Sequence, residues 1–469
     1  MSEEMLDGDA DAIRAGYRDG TLTPLDVLDA TLARIESRNP AINAMAFVAA
    51  TGAREAATAS AQRWADGEPL GRMDGLPVTI KDSVNAVGMP WRHGCAAFDH
   101  LPDSSIDSPP AERLKEAGAV ILGKTTMPDF GMMAAGVSSL YGVTRNPWDP
   151  SRNTGGSSSG AGASLAAGIG FSSVGSDIAG SVRLPAGHCG LVALKPTQGR
   201  IPHTAPSMTR SAGPMGRTVD DVMDCYDVLT GPDARDLWSL PPEDERVSRE
   251  ALAPSGLRIG VLTDLGYGFY PDDAVLAVVA DAAAALSDGG AAVSTIAPVF
   301  ADDPYPALDR VFQVRAVAEL ESIPADRRDR VHPTIRDWCA PATGLSAADL
   351  TRDGEAVARA AERMRVVCAE FDYVIAPVIP TVGFAAEECG LDPSHPLAHC
   401  GFTAWFNQTT QPASALCFGF SGGMPVGIQV IGPRFDDQRV LRLTKWLESR
   451  RPVAMNWPEP VSALSTGGI

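Results

Sequence analysis

Residues 155–190 read GGSSSGAGASLAAGIGFSSVGSDIAGSVRLPAGHCG. The tract holds ten glycines and two separate serine centres, Ser157-Ser158-Ser159 and Ser181, with Ser181 lying 24 positions beyond Ser157. Glycine at that density lets backbone N–H groups come close to a ligand and lets the chain adopt positive φ. From Gly75 onward, short β-like runs alternate with helical stretches: LPVTI (76–80), AVILG (119–123), then SLAAGI (164–169) and FSSVG (171–175). Alternation of this kind argues for a layered α/β architecture. Lys81 follows LPVTI directly, and an apolar run can carry it into a core. Serines with a lysine, and no histidine beside either serine centre, suggest nucleophilic acyl chemistry with lysine as the ultimate base.

The surrounding chain widens the α/β reading. Thr23-Pro24 offers an N-cap with proline at the first helical position, and Asp26 completes a capping box. Leu25, Leu28, Leu32 and Ile35 recur at helical spacing, and Asn39-Pro40 is expected to stop that helix. LRIGVLTD (257–264) reads as a buried strand, 272–288 and 352–371 as helices, and YVIAPVIP as a strand running into prolines. Residues 1–65 are therefore expected to form an N-terminal helical segment and 66–235 a catalytic core. The charged, proline-containing stretch 236–256 reads as a connector, and 257–469 as a C-terminal α/β part of the same domain that contributes to the substrate pocket.

Composition sets bounds. At 469 residues and 45% hydrophobic, the chain can bury a large core, and large α/β enzymes of this length occur as one unit. A formal net charge of −19 argues against nucleic acid as a direct partner, since phosphate binding needs clustered Lys and Arg. The eight cysteines form no CxxC pair and no zinc-like spacing with the seven histidines, so reduced, buried cysteines in a cytoplasmic protein are expected. The acidic start MSEEMLDGDAD lacks an apolar core of the signal-peptide kind, and no long apolar run predicts a membrane span.

Three segments together carry a resemblance: GLPVTIKDS (75–83), GGSSSG (155–160) and GSDIAGSVRLPA (175–186). Flanking stretches agree, among them GKTTMPDFG, YGVTRNPWDP, CGLVALKPTQGRIP, GPMGRTVDDV and, near the C-terminus, GGMPVGIQVIGPRFDD. In order and at this spacing, over nearly the whole chain, they resemble the amidase signature family of serine hydrolases. The resemblance implies a single large α/β domain, a twisted mixed β-sheet covered by helices on both faces. It implies an amidase that forms an acyl-enzyme on Ser181, with Ser157, preceded by a cis peptide bond, relaying the proton to Lys81. Backbone N–H groups of Ile178, Ala179, Gly180 and Ser181 are expected to form the oxyanion hole. Ser158, Asp177 and Arg183 are expected to support the loop. No metal or other cofactor is implied, and the homodimer expected as its assembly comes from the resemblance alone. The expected partner is a small-molecule amide, with neither nucleic acid nor membrane involved. Such chemistry requires a neutral lysine, so burial must bring Lys81 down from its reference pKa of ~10.4.

Two departures bear on substrate fit: Ser159 and Ala179 stand where the family commonly has glycine. Within the family, the rival reading is the glutamine-hydrolysing subunit of a tRNA-dependent amidotransferase. Leu184 after Arg183, where those subunits usually carry glutamine, and Ile178-Ala179 in place of Thr-Gly favour a free-standing amidase for a neutral hydrophobic or aryl acyl group. Phe130, Met132, Met133, Trp405 and Phe406 are candidate pocket walls. Other motifs compete. GAVILGKT (118–125) matches a P-loop pattern, but its middle residues are strand-like. GSSSG (156–160) matches the nucleophile elbow of an α/β-hydrolase-like esterase with Ser158 as nucleophile, but turn formers precede it instead of a strand. His188-Cys189 lies just beyond Ser181, although sequence neighbours rarely have the geometry for proton transfer.

Overall fold

Strands with side chains directed to both faces of a sheet must alternate between two cores, and this chain does so repeatedly. The computed structural model describes residues 3–459 apart from 205 and 244–245. The ends of the N-terminal and C-terminal segments, one residue of the expected catalytic core and two of the connector thus lie outside the described residues. Eleven strands form one sheet: β1 (Met45–Val48), β2 (Pro77–Lys81), β3 (Val120–Thr125), β4 (Ser172–Asp177), β5 (Val192–Lys195), β6 (Ser211–Gly216), β7 (Arg258–Val261), β8 (Ala292–Thr295), β9 (Tyr373–Pro377), β10 (Ala413–Ser421) and β11 (Met424–Ile431). Their spatial order is β1-β3-β2-β4-β6-β5-β10-β11-β9-β7-β8. β2 runs parallel to both β3 and β4, β9 runs parallel to β7 and β7 to β8, and the other neighbours are antiparallel.

The helices are α1 (Ala10–Asp19), α2 (Pro24–Ile42), α3 (Ala50–Asp66), α4 (Pro109–Glu116), α5 (Ser159–Ala166), α6 (Arg183–Cys189) and α7 (Val219–Leu229) in the first half. The second half adds α8 (Asp273–Asp288), α9 (Tyr305–Ser322), α10 (Pro333–Cys339), α11 (Ala347–Cys368), α12 (Gly401–Gln408) and α13 (Asp437–Glu448). On β9, Val374 and Ala376 join one core with Leu184 of α6, Phe312 of α9 and Trp405 of α12. Tyr373 and Ile375 join the other, with Tyr226 of α7, Val279 of α8 and Leu447 of α13. The period-2 alternation leaves both faces covered, as the α/β reading expected.

Most expected elements occur where the pattern placed them, and Thr23 and Asp26 form the capping box at the start of α2. Three expectations need correction. Helix α2 runs through Pro40 to Ile42. In the last turn the proline forfeits only one intrahelical N–H bond, and the helix stops at Asn43, which has φ 51° and donates to the Asn39 carbonyl. The N-terminal segment is not wholly helical, because Met45–Val48 pairs with β3 as the edge strand β1. SLAAGI closes α5 instead of forming a strand. The described residues of 236–256 form no helix or strand and strap across the surface: the Val247 N–H donates to Asp227, and the Leu252 N–H donates to the Arg442 carbonyl. One sheet spans both sides of that strap, so it divides no domain.

Candidate active site

Two parallel neighbours, β2 and β4, end side by side, and the functional groups lie at these carboxyl ends, where open α/β sheets usually place ligands. Register pairs Ile80 with Val174, so Lys81 closes β2 beside the residues that lead into Ser176 and Asp177. Lys81 is fully buried. Its Nζ donates to Ser157 Oγ at 2.8 Å and lies 3.4 Å from both the carbonyl and the Oγ of Ser176. Ser83 Oγ is a further 3.4 Å from Ser176 Oγ. Burial pushes the Lys81 ammonium down to about 7 and the charge of Arg210 adds to this, against the opposing pull of Asp177 and Asp82. An amine of that pKa is partly neutral near neutrality and can accept a proton.

Ser157 follows a cis peptide bond from Gly156. Gly131 closes over it: a Cβ there would sit 3.2 Å from Ser157 Oγ, and the backbone has φ 69°, so a side chain is disfavoured on both counts. Ser158 caps α5, is fully buried, and donates its N–H to the Ser181 carbonyl at 3.1 Å, which ties the two serine centres together. The turn formers before Ser158 do include a short strand, Asp149–Asn153, but it pairs only with Arg145–Asn146 outside the main sheet and ends before Thr154-Gly155, so no strand of the main sheet runs into Ser158 as a nucleophile elbow would need. Ser181 is 6% exposed at the turn between β4 and α6.

That turn is held by a buried polar network. Asp177 Oδ1 accepts from the Gly180 N–H at 2.7 Å and Asp177 Oδ2 from the Val182 N–H at 3.2 Å. Arg183 meets the same carboxylate through Nε and Nη2, at 3.1 and 3.0 Å. Burial opposes ionisation of Asp177, but the charge of Arg183 and hydrogen bonds from Arg183 and Asn407 outweigh it and hold the carboxyl at about 2. Arg183 also donates to Asn407 Oδ1 and Gln429 Oε1. Asn407 Nδ2 returns to the Asp177 carbonyl, and Thr403 Oγ1 donates to the Ala179 carbonyl at 2.6 Å. Gly180 has φ 122°, and a Cβ there would fall 2.2 Å from Thr403 Oγ1.

Lys81, Ser157, Ser158, Asp177, Ser181 and Arg183 are thus brought together as the sequence pattern expected. Three other expectations change. The Gly180 N–H is engaged by Asp177, which leaves Ile178, Ala179 and Ser181 as the available oxyanion donors on this turn. Met133, Trp405 and Phe406 are fully buried and belong to one hydrophobic core. Trp405 packs at 5.2 Å on Phe300 and donates its indole N–H to Tyr267, which is a core role. Of the expected walls, Phe130 keeps the most exposure and Met132 little. Leu184, too, is fully buried, packed beneath Gly180.

The competing motifs resolve on the same grounds. Lys124 of GAVILGKT lies buried on β3 and donates to the Val84 carbonyl, so it is not a phosphate-binding loop lysine. Cys189 is buried, its Sγ turned to the Thr154 carbonyl, and burial pushes its thiol well up. Burial holds His188 down at about 4. All eight cysteines are unpaired, and no helix among the described residues is long and apolar enough to cross a membrane. A cavity of about 690 Å³ lies at the starts of β7 and β9 among Arg258, Arg365, Tyr373 and Arg439, away from this site.

Sequence reasoning missed Ser83, Ser176, Thr403, Asn407, Gln429 and Gly131. Ser83 and Ser176 stand inside the motifs already singled out and were available to it. Thr403, Asn407 and Gln429 reach the turn from more than 200 positions away; Gln429 stands within the quoted GGMPVGIQVIGPRFDD stretch, whereas no quoted stretch holds Thr403 or Asn407.

The family model for amidases matches residues 26–441. The chain is 32% identical over 464 residues to an acylamidase of Rhodococcus erythropolis, covering 96% of each chain. It is 34% identical over 464 residues to a glutamyl-tRNA(Gln) amidotransferase subunit of Symbiobacterium thermophilum, covering 90% of this chain and 93% of the other. Among solved structures it superposes on a bacterial aryl acylamidase with TM-score 0.87 at 25% identity, covering 95% of this chain and 96% of that one. It superposes equally well, at 28% identity, on 6-aminohexanoate cyclic dimer hydrolase, covering 97% and 99%.

Proposed function

Because the chain belongs to the amidase family and is an amide C–N hydrolase, we propose that it cleaves a small carboxylic amide through an acyl-enzyme on Ser181. The observation that carries this reading is the buried contact of 2.8 Å between Lys81 Nζ and Ser157 Oγ, with Lys81 held at about 7. Neutral Lys81 accepts the Ser157 hydroxyl proton as Ser157 takes that of Ser181. Ser181 Oγ forms a bond to the amide carbon, and the carbonyl π pair moves onto oxygen. Backbone N–H groups of Ile178, Ala179 and Ser181 receive that oxyanion, preorganised because Asp177, Arg183, Asn407 and Thr403 fix the turn. Collapse breaks the C–N bond, and the proton on Lys81 returns through Ser157 to the leaving nitrogen. Water then attacks the ester by the same relay, releasing carboxylate and Ser181. The chain's own residues complete this cycle.

For the acyl group, Phe130 favours a neutral apolar portion next to the scissile carbonyl. The curated relatives include both an acylamidase and amidotransferase subunits, so glutamine remains the rival substrate. Alanine substitution tests the roles. Ser181→Ala, Ser157→Ala and Lys81→Ala should each lower kcat on a cleaved amide by about 10³-fold or more, with double variants little worse than single ones, as expected for groups that act as a unit. Ser158→Ala should retain more activity than any of the three. Wild-type turnover by Ser181→Ala would overturn the assignment.

A further inference from the structure

The sheet edge that carries the serine centre carries a second opening. Five antiparallel steps lead from β4 to β9, so the start of β9 lies on the same edge as the end of β4. At ~4.8 Å per strand the two positions are roughly 24 Å apart. The cavity of about 690 Å³ at the starts of β7 and β9 is therefore separate from the serine turn. Small-molecule sites usually have volumes of about 300–1,000 Å³, and this one falls within that range.

Its walls divide by chemistry. Leu257, Phe371, Val374 and Ile431 form an apolar side. Four arginines and two aspartates supply the charge, in a chain whose net charge is −19. Both aspartates are already engaged. Asp372 accepts the Arg258 backbone N–H at 2.8 Å and Arg258 Nη2 at 2.9 Å. Asp436 accepts the Tyr373 hydroxyl at 2.5 Å and has Arg439 Nε at 3.8 Å. The other two guanidiniums have no carboxylate. Arg365, on the last turn of α11, makes no ion pair or side-chain hydrogen bond among the described residues. Arg434, between β11 and α13, lies 4.6 Å from the centre of the Phe435 ring and likewise makes no ion pair or side-chain hydrogen bond among them. Gln411 lines the same cavity and is 6% exposed. Its Nε2 donates to the Gly432 carbonyl at 3.0 Å, while its Oε1 has no hydrogen-bond partner among the described residues. A buried amide oxygen is costly to leave without a donor. Two guanidiniums without acids and one amide oxygen without a donor, on the walls of one cavity with an apolar side, describe what is to fill it.

We propose that this cavity binds a small organic anion. Its oxyanion group sits on Arg365 and Arg434, its apolar body lies against Phe371 and Ile431, and an N–H of that body donates to Gln411 Oε1. Carboxylate and phosphate both match the forked donors of guanidinium, with a directional fit that lysine would not give. The site is a second one, distinct from the place where an amide would meet Ser181, and it does not depend on the reading of Ser181.

Equilibrium dialysis of the full chain carrying Ser181→Ala tests this, because that variant should leave amide probes intact. One probe set is N-benzoylglycine, its methyl ester, and benzoyloxyacetate, in which oxygen replaces the N–H. The other is adenosine 5′-monophosphate beside adenosine. At least one of the two anions should bind about ten-fold tighter than its uncharged partner, the ester or the nucleoside. Arg365→Gln and Arg434→Gln should each remove most of that preference. Both side chains are exposed and hold nothing else in place, so the thermal midpoint of each variant should match that of the parent chain. N-benzoylglycine should bind more tightly than benzoyloxyacetate, and Gln411→Met should bring the two level. Equal binding of those two before the substitution would remove Gln411 from the site. Tighter binding of the monophosphate would make the ligand a phosphate ester, and tighter binding of N-benzoylglycine a carboxylate. No binding of any probe at millimolar concentration, no preference for either anion, or a preference unmoved in both arginine variants overturns the proposal. Cleavage of N-benzoylglycine by Ser181→Ala would instead count against Ser181 as nucleophile, and the monophosphate pair, which has no amide, would still decide the cavity.

Discussion

Lys81 is the group whose titration should limit the rate, and its environment fixes the expected profile. A lysine brought from 10.5 to about 7 by burial prefers its neutral form by about 5 kcal/mol relative to one in water, at ~1.36 kcal/mol per pH unit. If neutral Lys81 is the base, kcat/KM on a neutral amide rises with pH through about 7 and levels above it. The neutral fraction is about one half at pH 7, about one tenth at pH 6 and about one hundredth at pH 5, so the rate should drop roughly 100-fold from the plateau to pH 5. An unshifted lysine would instead be neutral only to about 3 parts in 10⁴ at pH 7, and the rate would climb ten-fold per unit up to pH 10. Arg210 lowers the Lys81 pKa, so Arg210→Gln should move the acid limb to higher pH. The assay is initial-rate ammonia release from an uncharged amide between pH 5 and 10, with stability checked at each pH. A profile still rising ten-fold per unit at pH 9 would refute the reasoning, as would an acid limb unmoved in Lys81→Arg with full activity.

The same burial has a cost in stability. Between pH 7 and 10 the unfolded chain holds a proton on Lys81 that the folded chain has released, so wild-type stability should gain on Lys81→Met by about 1.4 kcal/mol per pH unit, read by urea unfolding across that window. Below pH 7 that gain should vanish, because both states are then protonated. Asp177→Asn leaves Arg183 buried without its carboxylate and should cost about 3–5 kcal/mol in chemical denaturation, with activity lost. Gly180→Ala meets Thr403 Oγ1 at a positive φ and should abolish turnover. Thr403→Ser retains the hydroxyl that holds the Ala179 carbonyl and should be nearly silent in kcat. Trp405→Ala should lower stability by about 3–5 kcal/mol, as deletion of a buried aromatic does. If Trp405 lined the substrate site instead, its loss would show mainly in KM.

Much of the fold and the centre of the site can be read from the sequence because they rest on local signals. A capping box at Thr23, an apolar run ending in Lys81 and a glycine-rich turn around Ser181 each declare themselves within about ten residues. What escaped is non-local. Trp405 and Phe406 look like pocket walls because aromatic residues near a predicted site serve both roles, and only the packing of α12 against Phe300 and Tyr267 assigns them to the core. The Gly180 N–H looks available until the Asp177 carboxylate is seen to turn back on it. Pro40 misleads as a helix stop because its penalty is small in a last turn.

The most direct test of the central claim is an acid quench during turnover of an activated aryl ester or anilide, followed by peptide mapping of the acyl adduct. The account predicts the acyl mass on the peptide that contains Ser181, accumulating in a burst and absent from Ser181→Ala. An adduct on Ser158, or steady turnover in Ser181→Ala, would contradict it.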